Sequence, residues 1–160
     1  MRGGRRLKAV IPGGSSAPVL TAEEATKATM DYECLAQMGS MLGSGAVIIM
    51  DESRCMVDIL DTIMYFYHHE SCGQCTPCRE GTGWLEKILR KIVRGEGSVA
   101  DIDLLDKVAA NMKGRTICAL AEAAALPAMS FVQKFREEFE FFVREGRSKV
   151  KGTANAEMYH

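Results

Sequence analysis

The chain carries almost no net charge: 20 Lys and Arg stand against 21 Asp and Glu, leaving −1. The general electrostatic reason to expect nucleic-acid binding is therefore missing. Long hydrophobic runs are missing too. Residues 46–50 and 59–67 are the most apolar stretches, and both are too short or too interrupted to span a bilayer. The basic start, Met1-Arg2-Gly3-Gly4-Arg5-Arg6, is followed by no apolar segment of the kind a secretory leader has. No G-x-G-x-x-G follows a strand pattern, so the common dinucleotide cradle is absent. No nucleophile stands with a matching base, which removes triad chemistry.

What is present is a globular composition. The 160 residues are 47% hydrophobic and 26% charged, enough for one domain or one small domain plus a fragment. Ten methionines suit adaptable packing, in a helical core and against partners. Six cysteines without a leader argue against a disulfide scaffold. A reducing compartment is expected, where clustered thiols read as metal ligands.

Three of the cysteines fall in Glu70-Ser71-Cys72-Gly73-Gln74-Cys75-Thr76-Pro77-Cys78-Arg79-Glu80-Gly81. A redox disulfide needs two thiols. Three at C-x₂-C-x₂-C spacing supply three corners of a cubane iron–sulfur cluster. The fourth must come from elsewhere, and Cys118, in Gly114-Arg115-Thr116-Ile117-Cys118-Ala119-Leu120, is the best candidate. Zinc is the alternative, but zinc sites often pair two C-x₂-C knuckles, and a triplet plus a lone cysteine fits 4Fe–4S better. Cys34 and Cys55 lack such neighbours and read as small apolar fillers. Arg79 and Arg115 are placed to stabilise a cluster's negative charge, or simply to be solvated. His68 and His69 are adjacent on a helix and point apart, which suits capping and surface packing better than ligation. A fully ligated cluster passes electrons singly, so these residues point to electron transfer. A metal-stapled structural module, holding zinc or a cluster, is the other reading.

The first third reads as strand, turn and helix. Leu7-Lys8-Ala9-Val10-Ile11 is a short strand, ended by Pro12-Gly13-Gly14-Ser15-Ser16. The spacing predicts an extended run over 17–20 and a polar connection over 21–30. Asp31 caps a short helix through about Met38, with Leu35 and Met38 inward. Residues 46–50 predict a buried strand. From Arg54 the period changes to helical. Met56, Ile59, Leu60, Ile63, Met64 and Tyr67 form one stripe, ending near His69. Pro77 opens a second helix carrying Trp84, Leu85, Ile88, Leu89 and Ile92, closed by Gly95. Ser98 and Asp101 open a third, burying Ile102, Leu105 and Val108. Residues 119–126 predict a short helix and Pro127 a new turn. Phe131, Phe135, Phe139 and Phe142 then recur as core or partner-facing positions. A polar tail is expected from Ser148.

The cysteine stretch resembles the signature of the flavoprotein, NADH-binding (F) subunit of respiratory complex I, NADH:quinone oxidoreductase. The segment Gly114-Arg115-Thr116-Ile117-Cys118-Ala119-Leu120-Ala121 is similar to the one carrying that family's fourth ligand. The likeness reaches back through Ile11-Pro12-Gly13-Gly14-Ser15-Ser16 and Gly43-Ser44-Gly45-Ala46-Val47-Ile48-Ile49-Met50-Asp51-Glu52, which resemble the latter part of a β-grasp (SLBB) domain. It covers about residues 6–145. The resemblance implies a mainly α fold: a helical bundle over 54–147 carrying a 4Fe–4S cluster on Cys72, Cys75, Cys78 and Cys118. An incomplete α+β β-grasp segment over 1–53 precedes it, and a flexible tail over 148–160 follows. It implies single-electron relay from reduced FMN, with the FMN and NAD sites expected only in a missing N-terminal part or a partner chain. The chain thus reads as a C-terminal portion unable to oxidise NADH alone. The implied partners are peripheral-arm subunits: the 2Fe–2S thioredoxin-like subunit and the large iron–sulfur subunit. The implied place is the cytoplasmic side of the inner membrane, or the matrix side in a mitochondrion, with membrane contact only through partners. Diaphorase subunits of some hydrogenases and formate dehydrogenases share the pattern, so the host complex stays open. Missing strands would leave Val10 and residues 47–49 with unpaired edges.

Overall fold

The computed structural model describes residues 4–150. Its small sheet comes first. β1 (Leu7–Ile11) is central, with β2 (Leu20–Thr21) on one side and β3 (Ile48–Asp51) on the other, both antiparallel to it. Val10 pairs with both Leu20 and Ile49, so the expected free edge at Val10 is absent. The edge at β3 is as expected, but the strand is not buried: Ile48 and Ile49 are exposed and only Met50 is covered. β-branched residues made 46–50 look like a core strand. Here one face of the strand has nothing packed on it.

The polar connection over 21–30 contains a helix, α1 (Ala22–Lys27). Thr21 and Glu24 form a reciprocal capping box there, a T-x-x-E signal legible in the sequence but lacking an apolar stripe beside it. α2 (Tyr32–Gln37) is capped by Asp31, whose Oδ1 accepts the Cys34 N–H at 2.6 Å, and buries Leu35. Met38 lies just outside it, half-buried.

Four helices then fold back on one another: α3 (Met56–Glu70), α4 (Thr76–Val93), α5 (Val99–Met112) and α6 (Leu120–Lys134). Cross-helix pairs show the alternation of direction. His68 meets Glu86, Lys91 meets Asp101, and Gln133 meets Asp106. α7 (Arg136–Glu145) packs across the bundle. The stripe of α3 is as expected, with Met56, Leu60, Ile63, Met64 and Tyr67 buried, and Val57 added.

Pro127 does not break the chain. It sits inside α6, where Ala124, Ala125, Ala128 and Phe131 are fully buried around it. A proline inside a helix loses one backbone bond and costs about 3 kcal/mol in an exposed context. Small alanines on both sides let neighbouring helices pack closely enough to offset that. Phe131, Phe139 and Phe142 are core residues, and Phe135 is partly buried at the α6–α7 junction.

Sheet and bundle share one core, since Ala9, Ile11, Val19 and Met50 belong to the same buried cluster as the helical stripe. Polar links reinforce the join. Ser130 Oγ accepts the Val19 N–H at 3.1 Å, and Glu138 accepts both the Met56 N–H and an ion pair from Lys8. Of the expected tail, residues 151–160 lie outside the described residues.

Candidate metal centre

The thiols are placed by helix ends. α3 stops at Glu70, with Ser71 as its C-cap. Cys72 follows in the connection, Cys75 is the N-cap of α4, and Cys78 stands in the first turn of α4. Pro77 occupies that first turn, where its missing N–H costs nothing. Gly73 turns the loop with φ +75°, a conformation an L side chain resists. Cys118 lies between α5 and α6, one residue before Ala119, the N-cap of α6.

Helix direction decides whether Cys118 reaches the others. Because α3 to α6 alternate, α4 and α6 both start at the same end of the bundle. The start of α4 and the end of α5 touch there: a Cβ on Gly81 would press on the Met112 side chain. A groove of about 280 Å³ at this end is lined by Thr76, Pro77 and Trp84 of α4, by Val108 and Met112 of α5, and by Arg115 beside the Cys118 loop. The structure thus brings all four sequence-chosen cysteines to one end. Cys72 and Cys118 are exposed, Cys75 is half-buried, and Cys78 is buried.

Two features there suit a negatively charged group. The N-termini of α4 and α6 have no side-chain cap, as is also true of α3 and α7. At α4 Pro77 carries no N–H and the Cys78 N–H is given to the Cys75 carbonyl, so what that end offers a thiolate is chiefly the positive end of its dipole. Among the described residues no three His, Cys, Asp or Glu side chains are gathered closely enough to hold a metal ion. Four thiolates on one zinc would lie about 3.8 Å apart, from Zn–S bonds of about 2.3 Å in a tetrahedron. A cubane presents four separate irons and takes its ligands further apart. Four thiols at one bundle end are the donor set that a 4Fe–4S cluster takes.

A family model described as the NADH-ubiquinone oxidoreductase-F iron-sulfur binding region matches residues 58–141, more than half of the chain. The chain belongs to this iron–sulfur binding family. An F-type subunit of the NADH-quinone oxidoreductase of Rhizobium meliloti (strain 1021) is 46% identical over 144 residues, covering 90% of this chain and 34% of that protein. The mitochondrial NADH-ubiquinone oxidoreductase 51 kDa subunit of Neurospora crassa is 43% identical over 157 residues, covering 98% of this chain and 32% of that protein. The chain spans about a third of the length of the curated relatives it matches. Among solved structures, an NAD⁺-reducing [NiFe]-hydrogenase in the air-oxidized state matches with TM-score 0.73 and 29% identity, over 87% of this chain and 24% of that one.

The remaining sequence-chosen residues take structural parts. Arg79 does not face a charge in isolation. Its Nη1 donates to the Gly73 carbonyl at 3.0 Å and its Nε pairs with Glu80, so it clamps the cysteine loop. Arg115 is exposed at the groove. His68 bonds Glu86, and His69 stacks on Tyr65 at 6.3 Å, so neither joins the thiols. Cys55 is buried and burial pushes its thiol up to about 11; Cys34 is half-buried and accepts the Thr29 N–H.

Two features went unread in the sequence. Asp58 and Asp61 are buried on α3, and Asp61 lies within reach of the charges of Arg90 and Glu86. Their i, i+3 spacing inside an apolar stripe was the available signal. Burial pushes the Asp61 carboxyl up to about 6. The Arg90 charge opposes that rise, and Glu86 and Asp58 add to it. The second is Ser71, whose hydroxyl lies against the Cys78 sulfur; no sequence pattern marks it.

Among the described residues no helix is long and apolar enough to cross a membrane.

Proposed function

We propose that this chain is the electron-relay part of an NADH:quinone oxidoreductase, with Cys72, Cys75, Cys78 and Cys118 as ligands of a 4Fe–4S cluster. Such a cluster, when bound, supplies one-electron transfer at a potential set by its surroundings. The reading rests above all on one observation: four thiols carried to one end of the bundle by helices that alternate in direction. The chain's own part is to hold those sulfurs, to tie α3, α4 and α6 together through them, and to limit water at Cys78.

In this reading FMN and NAD belong to the rest of a longer subunit or to a partner chain, and this chain alone does not oxidise NADH. Residues 54–147 are the cluster-carrying unit, 1–53 a β-grasp-like segment seated on it, and 148–160 a tail. The partners are peripheral-arm subunits of complex I, namely the 2Fe–2S thioredoxin-like subunit and the large iron–sulfur subunit. The place is the membrane's cytoplasmic or matrix face, reached through those partners. A second host is supported by the 0.73 TM-score match: the equivalent part of a hydrogenase diaphorase.

Iron and acid-labile sulfide, measured after anaerobic reconstitution, test the reading. The chain is expected to take up about four of each. Cys72→Ala and Cys118→Ala are each expected to lose the cluster and loosen the bundle, seen as lost helical signal. One zinc and no sulfide would replace this reading with a structural zinc module.

A further inference from the structure

One hydroxyl lies against a ligand sulfur. Ser71 places its Oγ 3.3 Å from Cys78 Sγ. The same Oγ accepts the Gly73 N–H at 3.4 Å. With that lone pair engaged, the hydroxyl hydrogen is left for the sulfur. A ligating thiolate has no proton to give, so Ser71 is the donor. The contact is held from both sides. Ser71 is the C-cap of α3, at φ −67° and ψ 121°. Gly73 swings its N–H back toward Ser71 with a positive φ, and Arg79 pins the Gly73 carbonyl. Cys78 is fixed by its own N–H to the Cys75 carbonyl at 3.1 Å, while its carbonyl accepts from Thr82 Oγ1 at 2.8 Å. Cys78 is also the buried thiol of the four, at 6% exposure. A hydrogen bond there competes with little water and acts through a low local dielectric.

We propose that Ser71 is a positioning residue that sets the cluster's reduction potential, by donating its hydroxyl hydrogen to the Cys78 sulfur. This rests on the relay reading above. Reduction adds one electron and neither forms nor breaks a bond; the added negative charge is shared with the ligand sulfurs. A donor aimed at one of them favours the reduced form and raises the potential.

The test uses the whole chain with its cluster reconstituted, titrated by EPR at fixed pH. Ser71→Ala is expected to lower the reduction equilibrium constant about tenfold, which is about 59 mV for one electron. Ser71→Gly suits the same extended backbone and removes the hydroxyl independently, so it should move with Ser71→Ala. Ser71→Thr keeps a hydroxyl and should stay near the unsubstituted protein. Unchanged potentials in Ser71→Ala or Ser71→Gly, with iron and sulfide intact, overturn the proposal. Cluster loss in both, with retention in Ser71→Thr, also overturns it, because the hydroxyl would then hold the loop rather than tune it. An unsubstituted chain that binds no iron or sulfide overturns both this proposal and the relay reading, and that assay is read separately from the potential.

Discussion

Cys55 and Cys72 share a side chain and little else. Cys55 is 1% exposed and its thiol is raised to about 11, so it stays protonated at neutral pH. Cys72 and Cys118 stand in water. Iodoacetamide applied to the cluster-free chain at pH 8 should label Cys72 and Cys118 first, and Cys55 only after unfolding, as peptide mass spectrometry would show. Equal labelling of Cys55 in the native chain would contradict its burial. Asp61 gives a pH signature. Its folded value of about 6 lies above the ordinary 3.8, so folding favours the neutral acid. The stability this gives is fully present below pH 3.8 and is lost as pH rises through 6. A shift of that size corresponds to about 3 kcal/mol. Asp61→Asn should therefore gain on the unsubstituted chain between pH 4 and pH 7.5, by up to about that amount. Urea melts at the two pH values measure it, and a difference independent of pH would refute it.

At the scale of elements, local signals were readable where polar chemistry marked a boundary. Asp31, Pro77, Ser98 with Asp101, and Gly95 each ended or began a helix as the sequence implied. The C-x₂-C-x₂-C spacing is equally local and marks Cys72, Cys75 and Cys78 as candidate ligands, whereas Cys118 stands apart from them in the chain and joins them as a candidate through the family resemblance. What could not be read depends on what lies opposite. Pro127 tolerates a helix because alanines pack around it, and Ile49 looks like core but faces nothing. Nor does spacing show that Ser71 lies against Cys78, because that contact depends on how the loop turns at Gly73. Two expectations belong here. Ser98→Ala removes the acceptor for the Asp101 N–H and should cost about 1 kcal/mol in a chemical melt. Gly13→Ala should cost more, since its Cβ would meet the backbone carbonyls of Met41 and Leu42, which have no side-chain freedom to yield. A Gly13→Ala melt no lower than that of Ser98→Ala would show that these two loops move apart easily.

Among the described residues one core joins sheet and bundle, and β3 is the apolar one of the sheet's two edge strands. Ile48 and Ile49 of β3, and Val47 just before it, are exposed at 40%, 60% and 45%. An apolar strand with free backbone groups recruits another strand. The isolated chain should therefore self-associate, and Ile49→Lys should shift it toward monomer in sedimentation; identical behaviour of the two would remove the edge as the cause. At the opposite level of specificity stands the thiol end, where the helices' alternation and the family match meet. The sharpest test of that end is the EPR spectrum of the anaerobically reconstituted chain, recorded before and after dithionite. A silent oxidised state is expected and, on uptake of about one electron per chain, a reduced 4Fe–4S signal that Cys118→Ala abolishes. A chain that stays silent on reduction, or whose signal survives without Cys118, would contradict ligation of one cluster by these four thiols.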